Sequence, residues 1–361
     1  KVDHHLGEDM QQIYPEGYFF SHVLYGLALS ETKPLFYGDD QYAIDAPDEI
    51  DKELECLYSD KGTQIFPRNM KPTYGIFYAG WTNYLLAKKL TNQIVRDSSQ
   101  VRLFEHNCDE IYQAFLQKKT PYLESYKGLS WPADNIVAIA SLALHDKIFT
   151  PKYQTFITDW LIHITNYLDK DGLIPHKVDY QNASTIEAAK GSSQSLILCF
   201  LHDIDTVFAR QQFNIYKKLF VDYRFGLPGI REHKKGISKD GDIDSGPVIL
   251  DIGGSASVVG LKTMSIYNEI ELMVGLRNSI EAFGMAYSSK DSPHSFNNFD
   301  SKKYLFGQIP IADCFIAWSN VQAFSSDEDK LGNWRWKFQL ISFAILLLLS
   351  GFNYWLYRKT N

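Results

Sequence analysis

The chain of 361 residues has few cysteines and no excess of positive charge. The four cysteines lie far apart and form no CxxC or Cys/His spacing, so we expect no metal site at Cys56, Cys108, Cys199 or Cys314. The formal net charge of −7 argues against a nucleic-acid partner. The segment GSSQS at 191–195 lacks the pattern of a G-x-S-x-G nucleophile elbow, which argues against a serine hydrolase. Nothing in the sequence indicates a cofactor.

Strand-like alternation and flexible linkers are also scarce. Helical periodicity dominates instead, and only the Ser/Asp-rich stretch 288–303 and the short stretch 324–332 resemble linkers. The predicted helices cover 14–30, 73–91, 98–118, 131–146, 151–168, 191–202, 205–221, 253–269, 273–287 and 310–323. We therefore predict one all-α domain over 1–325.

One long apolar run stands at the end of the chain. From Phe338 to Tyr357 it reads FQLISFAILLLLSGFNYWLY, without a charged residue or a histidine. A helix needs roughly 20 mainly apolar residues to cross the hydrocarbon core of a bilayer, and tryptophan and tyrosine flank this run as they flank membrane helices. The sequence therefore predicts a juxtamembrane tether over 326–337, a transmembrane helix over 338–357 and a short tail over 358–361.

The flanks of this run and the start of the chain suggest an orientation. The chain begins at Lys1 rather than methionine, which favours removal of a signal peptide or of a first membrane helix. Either would place the domain outside the cytoplasm, on the periplasmic side of the cell membrane, with Arg358 and Lys359 inside. We therefore expect a single-pass, C-terminally anchored protein.

Several of the apolar predicted helices follow short motifs of small, polar or proline residues. The motifs are YPEGY at 14–18, PTYG at 72–75, WPADN at 131–135, GSSQS at 191–195 and DSGP at 244–247. Apolar helices such as NIVAIASLAL are buried on most sides, and amphipathic helices alternate with them along the chain. Alternating inner and outer helices make an (α/α)6-type toroid, in which the N-termini of the inner helices converge on a central cleft.

These segments carry a resemblance to a known family. Between about residues 10 and 320 the chain resembles the linalool dehydratase/isomerase-like group of α/α-toroid proteins, which is similar in fold to six-hairpin glycosidases and terpene cyclases. The resemblance rests on YPEGYFFSHVLYGLALSE, YGIFYAGWTNYLL, WPADNIVAIASLALHD, GLIPHKVD, AAKGSSQSLIL and GDIDSGPVI. It implies a toroid with a central pocket. The namesake enzyme is thought to use a cysteine pair in its pocket, and no cysteine lies near WPADN here, so the resemblance implies the fold rather than that reaction.

Asp134 is the first candidate for acid/base chemistry. It lies in the first predicted turn of an apolar helix, close to Trp131. A carboxylate against an aromatic wall is partly desolvated, which raises its pKa toward the range useful for proton transfer. An aspartate at a helix start can equally serve as an N-cap, although Pro132 places Asp134 slightly inside the helix.

The segment GDIDSGP supplies the second candidate, Asp244. With Asp134 it would make the two-carboxylate arrangement that cleavage of a glycosidic bond needs, one acid and one base or nucleophile. A calcium loop would also use alternating aspartates, but Ser245 stands where that loop requires glycine, so no metal is expected.

His176 and Glu187 form a third catalytic group, because the long connection 169–190 has the character of a loop that lines a site. His176 is a candidate proton shuttle, or simply a hydrogen-bonded histidine. The candidates for substrate binding are Glu16, His22, Tyr74, Trp81, Trp131, Asn135, Ser192, Ser193, Gln194 and Asp242. Helix capping by the serines and core packing by the aromatic residues explain the same pattern.

Two functions fit these residues. The first is a membrane-anchored enzyme with lyase, isomerase or glycoside-hydrolase-like chemistry on an isoprenoid, lipid-linked or carbohydrate substrate. The second is a non-catalytic toroid that binds a glycan, a lipid or a protein partner at the membrane, with Trp81, Trp131 and Tyr74 as a stacking platform. Convergence of Asp134, Asp244 and a third titratable group would favour the enzyme.

Overall fold

The computed structural model describes residues 6–32, 40–242, 245–289, 301–321 and 334–360. The described residues form the helices α1 (Leu6–Ile13), α2 (Gly17–Thr32), α3 (Asp40–Tyr58), α4 (Asp60–Thr63), α5 (Gly75–Thr91), α6 (Ser98–Leu116), α7 (Pro132–Ile148), α8 (Gln154–Ile164), α9 (Gly191–Ile204), α10 (Thr206–Phe220), α11 (Gly254–Ile266), α12 (Ile270–Phe283), α13 (Pro310–Asn320) and α14 (Trp334–Thr360). Asp244 lies outside the described residues.

Short antiparallel hairpins accompany the helices. They pair β1 (Lys177–Val178) with β2 (Thr185–Glu187), β3 (Val221–Arg224) with β4 (Leu227–Ile230), β5 (Val248–Ile249) with β6 (Ile252–Gly253), and β7 (Tyr287–Ser289) with β8 (Ser301–Lys303). Single 3₁₀ turns cover Thr165–Tyr167 and Leu305–Gly307. Strands are thus a minor part of the described chain, as predicted.

The helices form two concentric rings. In the inner ring α2 contacts α5, α5 contacts α7, α7 contacts α9, α9 contacts α11, α11 contacts α13, and α13 returns to α2. The outer helices α1, α3, α6, α8, α10 and α12 each pack on one or two members of the inner ring. The prediction of a mostly helical, toroid-like domain is therefore confirmed. The predicted bounds of the domain, the tether and the tail stay predictions.

Residue composition explains which helices lie inside. Every residue of α7 from Pro132 to His145 is buried, because an inner helix has neighbours on all sides. In the outer helix α10 the buried residues recur at helical spacing from Ala209 to Phe220, and exposed residues occupy the opposite face. Burial of a side chain such as Phe213 contributes about 2–3 kcal/mol to the free energy of unfolding.

Aromatic side chains fill the middle of the inner ring. The ring of Trp81 on α5 lies 5.5 Å from Phe20 on α2, 5.1 Å from Phe200 on α9 and 6.5 Å from Trp318 on α13, all edge-to-face between ring centroids. Edge-to-face packing favours such clusters beyond the burial of their surface. The middle of the toroid is therefore a packed core.

Some predicted elements differ from the structure. The sequence patterns did not reveal α1 and α3, since α3 is rich in charged residues and contains Pro47. The predicted helix 273–287 runs instead over Ile270–Phe283 and is followed by β7. The motif DSGP does not open a helix directly, because the β5–β6 hairpin separates it from α11.

The C-terminal helix α14 contains the apolar run. Its segment Phe338–Lys359 has 22 residues with a mean hydropathy of 1.7, and none of it is buried inside the protein. By length and composition this helix can cross a membrane.

Candidate functional site

The long connections of the toroid lie at one of its ends. Outer helices follow inner ones through short links such as 149–153 and 267–269, whereas long segments such as 117–131, 165–190 and 221–253 lead into α7, α9 and α11. These long segments therefore meet at the N-terminal ends of the inner helices. Loops that are held by a rigid scaffold commonly carry binding and catalytic residues.

A compact ionic group lies at this end, and we call it the Lys190 cluster: His176, Glu187, Lys190 and Asp242. The Lys190 ammonium is 2.5 Å from Glu187 Oε2 and 2.5 Å from Asp242 Oδ2. The potential ligand atoms of His176, Glu187 and Asp242 all lie within 4.8 Å of one another. The structure thus brings together three residues that the sequence had suggested, around a lysine that it had not.

Local backbone structure positions this cluster. The β1–β2 hairpin sets Lys177 opposite Glu187, and the His176 N–H donates to the Glu187 carbonyl at 3.1 Å. Lys190 is the N-cap residue of α9. The Asp242 carboxylate is oriented by Ser245, whose N–H donates to Oδ1 at 2.9 Å.

The charges of the cluster are set by burial and by Lys190. Burial, aided by the Lys190 charge, lowers the pKa of His176 to about 4, so this histidine is neutral at pH 7. Burial acts to raise the pKa of Asp242 and of Glu187, but the hydrogen bonds and charge of Lys190 outweigh it. The pKa of Asp242 falls to about 2, and that of Glu187 lies below its ordinary value. At neutral pH the cluster therefore pairs two carboxylates with one ammonium.

The Lys190 ammonium argues against a bound metal ion in this cluster. His176, Glu187 and Asp242 have the donor types of a metal site, and their atoms lie close enough together to share an ion. The ammonium of Lys190, in contact with both carboxylates, already supplies the positive charge that such an ion would bring. The geometry therefore favours an ionic cluster over a metal centre.

A third carboxylate, Glu232, lies beside the cluster and was not among the residues that the sequence suggested. Its side chain is only 1% exposed. Ser192 binds both of its oxygens, with the hydroxyl 2.8 Å from Oε1 and the N–H 3.2 Å from Oε2. Burial raises the pKa of Glu232 to about 7, and the negative charge of Asp242 acts in the same direction. No sequence pattern marks this residue, since it follows the β3–β4 hairpin within GIREHKK.

Gly191 makes this arrangement possible. Its N–H donates to the Glu232 carbonyl at 2.8 Å, so the first turn of α9 lies directly against the segment that follows β4 and carries Glu232. A Cβ atom on Gly191 would stand 1.8 Å from the Arg231 carbonyl oxygen. Only glycine permits so close an approach of helix and strand.

An aromatic wall adjoins the cluster. The Lys177 ammonium lies 4.9 Å above the Trp131 ring, and the Val178 N–H donates to the Ser130 carbonyl at 3.1 Å. Tyr126 meets Trp131 edge-on, with ring centroids 5.7 Å apart. The Tyr126 hydroxyl also donates to Glu16 Oε1 at 2.7 Å. A chain of contacts therefore runs from Glu16 through Tyr126 and Trp131 to Lys177, which is next to His176 in the sequence.

Two predicted residues at the start of α7 have different roles. Asp134 is buried in the first turn of α7, as expected from the sequence. Asn135 holds the preceding loop instead, because its Oδ1 accepts from the Leu123 N–H at 2.7 Å and its Nδ2 donates to the Trp131 carbonyl at 3.1 Å. The predicted pairing of Asp134 with Asp244 stays a prediction.

Other candidates lie in the core. His22 turns toward the outer helix α3, where its Nδ1 is 2.5 Å from Glu53 Oε2. Tyr74 packs edge-on against Tyr78 at 5.0 Å, and Gln194 Nε2 donates to the Ile174 carbonyl at 2.6 Å. The Ser193 hydroxyl donates to the Lys190 carbonyl at 3.2 Å.

Trp81 belongs to the aromatic centre of the ring. Its Nε1 is buried without a hydrogen-bond partner among the described residues.

Comparison with known proteins supports the fold. No protein-family model matches the chain, and no curated protein matches it in sequence. The crystal structure of D-mannose isomerase is similar to this chain, with a TM-score of 0.53 and 12% sequence identity, over 83% of this chain and 86% of that one. At this identity the similarity shows a shared α/α-toroid fold alone. The α/α-toroid fold implied by the resemblance to the linalool dehydratase/isomerase-like group is therefore confirmed, but no family model of that group matches the chain.

Proposed function

We propose that this protein is an isomerase-type enzyme that transfers protons on a small carbohydrate-like substrate at the N-terminal end of its inner helices. The observation that carries the proposal is that two groups at this end of the toroid have pKa values shifted in opposite directions. The pKa of Glu232 is raised to about 7, and that of His176 is lowered to about 4. Environments that push the pKa values of titratable neighbours apart are typical of acid/base sites. The fold shared with D-mannose isomerase supports the same reaction class.

The residues have distinct roles in such a reaction. Ser192 touches the substrate and relays the proton from C2 of an open-chain sugar to Glu232, whose ionised form is abundant at pH 7. The oxygen at C1 gains negative charge as the C1–C2 double bond forms, and the Lys190 ammonium stabilises it. Glu187 and Asp242 position that ammonium.

The reaction closes with the return of both protons. The proton held by Glu232 goes to C1, and neutral His176 carries the hydroxyl proton from O2 to O1. The sugar changes from an aldose to a ketose without gain or loss of atoms. Trp131 offers an aromatic face on which a sugar ring can stack.

Replacing Glu232 by glutamine tests the proposal. In the wild-type protein we expect deuterium from D₂O to enter D-mannose or a related aldose at the carbon next to the carbonyl. The Glu232→Gln variant should lose at least about 100-fold in rate, the usual contribution of a general base. Glu269→Gln is the control, since Glu269 pairs with Lys217 in the link between α11 and α12, at the opposite end of the toroid. An active Glu232→Gln variant would contradict the proposed role.

A non-catalytic toroid is the alternative, favoured by the Trp131 surface with its flanking Lys177 and Tyr126. Such a protein would bind a glycan, and Trp131→Ala would weaken binding, without deuterium exchange in any aldose. Absence of both deuterium exchange and aldose–ketose conversion in the wild-type protein would select this alternative.

We also propose that α14 anchors the protein in the cell membrane, with the toroid on the extracytoplasmic side. The length, the hydropathy and the complete exposure of Phe338–Lys359 support this. Such an anchor keeps the site close to lipid-linked or other substrates of the cell envelope.

A further inference from the structure

We infer that the end of the toroid that carries the Lys190 cluster faces the bilayer and rests on it through a rim of exposed apolar side chains. The inference rests on the proposed membrane insertion of α14 and goes beyond the proposed reaction. We call these side chains the rim patch: Phe225, Ile249, Leu250, Phe283, Met285, Tyr287 and Phe306.

The members of the rim patch are large and open to solvent. Ile249 is 69% exposed, Phe306 is 62% exposed and Leu250 is 54% exposed. Single exposed apolar residues are ordinary, but grouped ones mark surfaces that contact a protein or a membrane. Tyrosine and phenylalanine among them are typical of the interface between lipid and water.

The first half of the rim patch borders the candidate site. Leu250 lies at the tip of the β5–β6 hairpin, and its carbonyl accepts from Arg224 Nε of the β3–β4 hairpin at 2.8 Å. The next residue, Asp251, accepts at its carbonyl from the N–H of Glu232 at 3.2 Å. The tip of the β5–β6 hairpin therefore lies beside the backbone of Glu232, the residue that we assign as the general base.

The second half lies at the same end of the toroid. The helix α12 runs back along α11 after the short link 267–269, so its last residue, Phe283, is level with the start of α11. The Leu305 N–H donates to the Gly284 carbonyl at 2.8 Å. The Tyr304 N–H donates to Asp313, in the first turn of α13, at 2.8 Å. Phe306 is thereby held near the N-terminal ends of the inner helices.

The membrane helix leaves the domain beside this patch. The Phe338 ring lies 6.1 Å from the Phe283 ring, edge-on. From there Phe338–Lys359 continues with none of its length buried in the protein. At 1.5 Å per residue, the 22 residues extend about 33 Å, enough to cross the hydrocarbon core. The bilayer surface then begins where the rim patch is exposed.

Spin labels on the full chain test this orientation. The parent carries Cys56→Ser and Cys314→Ser, because Cys108 and Cys199 are buried. Single cysteines are then introduced as Leu250→Cys and Phe306→Cys in the rim patch. Each protein is placed in nanodiscs of phosphatidylethanolamine and phosphatidylglycerol, and collisions of the label with oxygen and with a water-soluble nickel complex are compared.

Two further labels calibrate the measurement. Ile94→Cys marks the opposite end of the toroid, just after α5, where the native side chain is 98% exposed. Leu347→Cys marks the middle of α14. We expect a severalfold higher oxygen-to-nickel collision ratio at positions 250 and 306 than at 94, and the highest ratio at 347.

The possible results separate cleanly. The inference is wrong if the collision ratios at positions 250 and 306 equal the ratio at position 94 while the label at position 347 has the high ratio of the hydrocarbon core. The toroid then stands away from the bilayer. If the label at position 347 has the low collision ratio of a residue in water, both the proposed membrane anchor and this inference are wrong. Neither result depends on turnover, so a failure of the proposed isomerase reaction is recognised separately through the Glu232→Gln assay.

Discussion

Ser192 holds the carboxylate of Glu232 at both oxygens, with its hydroxyl 2.8 Å from Oε1 and its N–H 3.2 Å from Oε2. The serine opens the inner helix α9, and the glutamate follows the β3–β4 hairpin, 40 residues later in the chain. This contact joins the helix to the strand at the end of the toroid where the Lys190 cluster lies. In the proposed reaction it is also the path by which the buried carboxylate exchanges a proton with the substrate.

Ser192→Ala should weaken catalysis and shift its pH dependence. The serine hydrogen bonds favour the ionised carboxylate and lower the pKa of Glu232, although burial outweighs them. Loss of the hydroxyl should therefore raise this pKa further and move the rising limb of the rate profile to higher pH. We expect a rate loss of about 10–100-fold at pH 7, since the relay is broken while Glu232 remains. Ser193→Ala is the matched control, because Ser193 bonds only the Lys190 carbonyl among the contacts seen at its hydroxyl.

The buried Glu232 should also affect stability in a pH-dependent way. Its folded-state pKa is raised from 4.5 to about 7, so the folded protein binds this proton more tightly than the unfolded chain does. The stabilisation is complete below pH 4.5 and is lost as the pH rises toward about 7. Relative to Glu232→Gln, the wild-type protein should lose about 3 kcal/mol in its free energy of unfolding between these limits.

Urea unfolding of the two proteins across this pH range measures the difference. His176 works in the opposite direction in both, because its lowered pKa costs stability as the pH falls from 6.5 to about 4. The comparison of variant with wild type cancels that contribution. If the difference in the free energy of unfolding between the two proteins does not change with pH, Glu232 has its ordinary pKa in the folded protein and the prediction is wrong.

Gly191→Ala should destabilise the fold and disrupt the site. The new Cβ would meet the Arg231 carbonyl oxygen at 1.8 Å, so helix α9 and the strand before Glu232 must move apart. We expect a loss of about 2–3 kcal/mol, as for other overpacked positions. Gly254→Ala is the control, because Gly254 also opens an inner helix but its Cβ would meet only the Pro247 carbonyl oxygen, at 3.7 Å. Thermal unfolding should separate the two variants, and equal melting temperatures would contradict the close contact.

Charges in the middle of α14 should release the protein from membranes. The double variant Leu347→Arg, Leu348→Arg places two arginines near the centre of the span, at a cost of roughly 2.5–3.5 kcal/mol each. Tyr357→Arg, near the end of the span where arginine reaches the interface, should be tolerated. Extraction of membranes with alkaline carbonate is the measurement. Retention of the double variant in the pellet would show that α14 is not the anchor.

The candidate site was only partly predictable. His176, Glu187 and Asp242 lie on connections that lead into the toroid end, and their residue types alone suggested that they line a site. Lys190 and Glu232 carry no sequence mark, because their importance comes from burial and from partners 52 and 40 residues away. The contact of His22 with Glu53 was not predictable for the same reason, since Glu53 lies on an outer helix that the sequence patterns did not reveal, and a binding role of His22 stays a prediction.

The sequence by itself determined the alternation of apolar and amphipathic helices and the apolar run at the C-terminus. Both are local patterns, because a helix buried on all sides and a helix long enough for a bilayer each show in their own residues. Only the tertiary structure decided that Glu232 meets Ser192 and that Lys190 joins His176, Glu187 and Asp242. Their pKa values follow from desolvation and from charges a few ångströms away, and both depend on which distant segments the closed ring brings to one end.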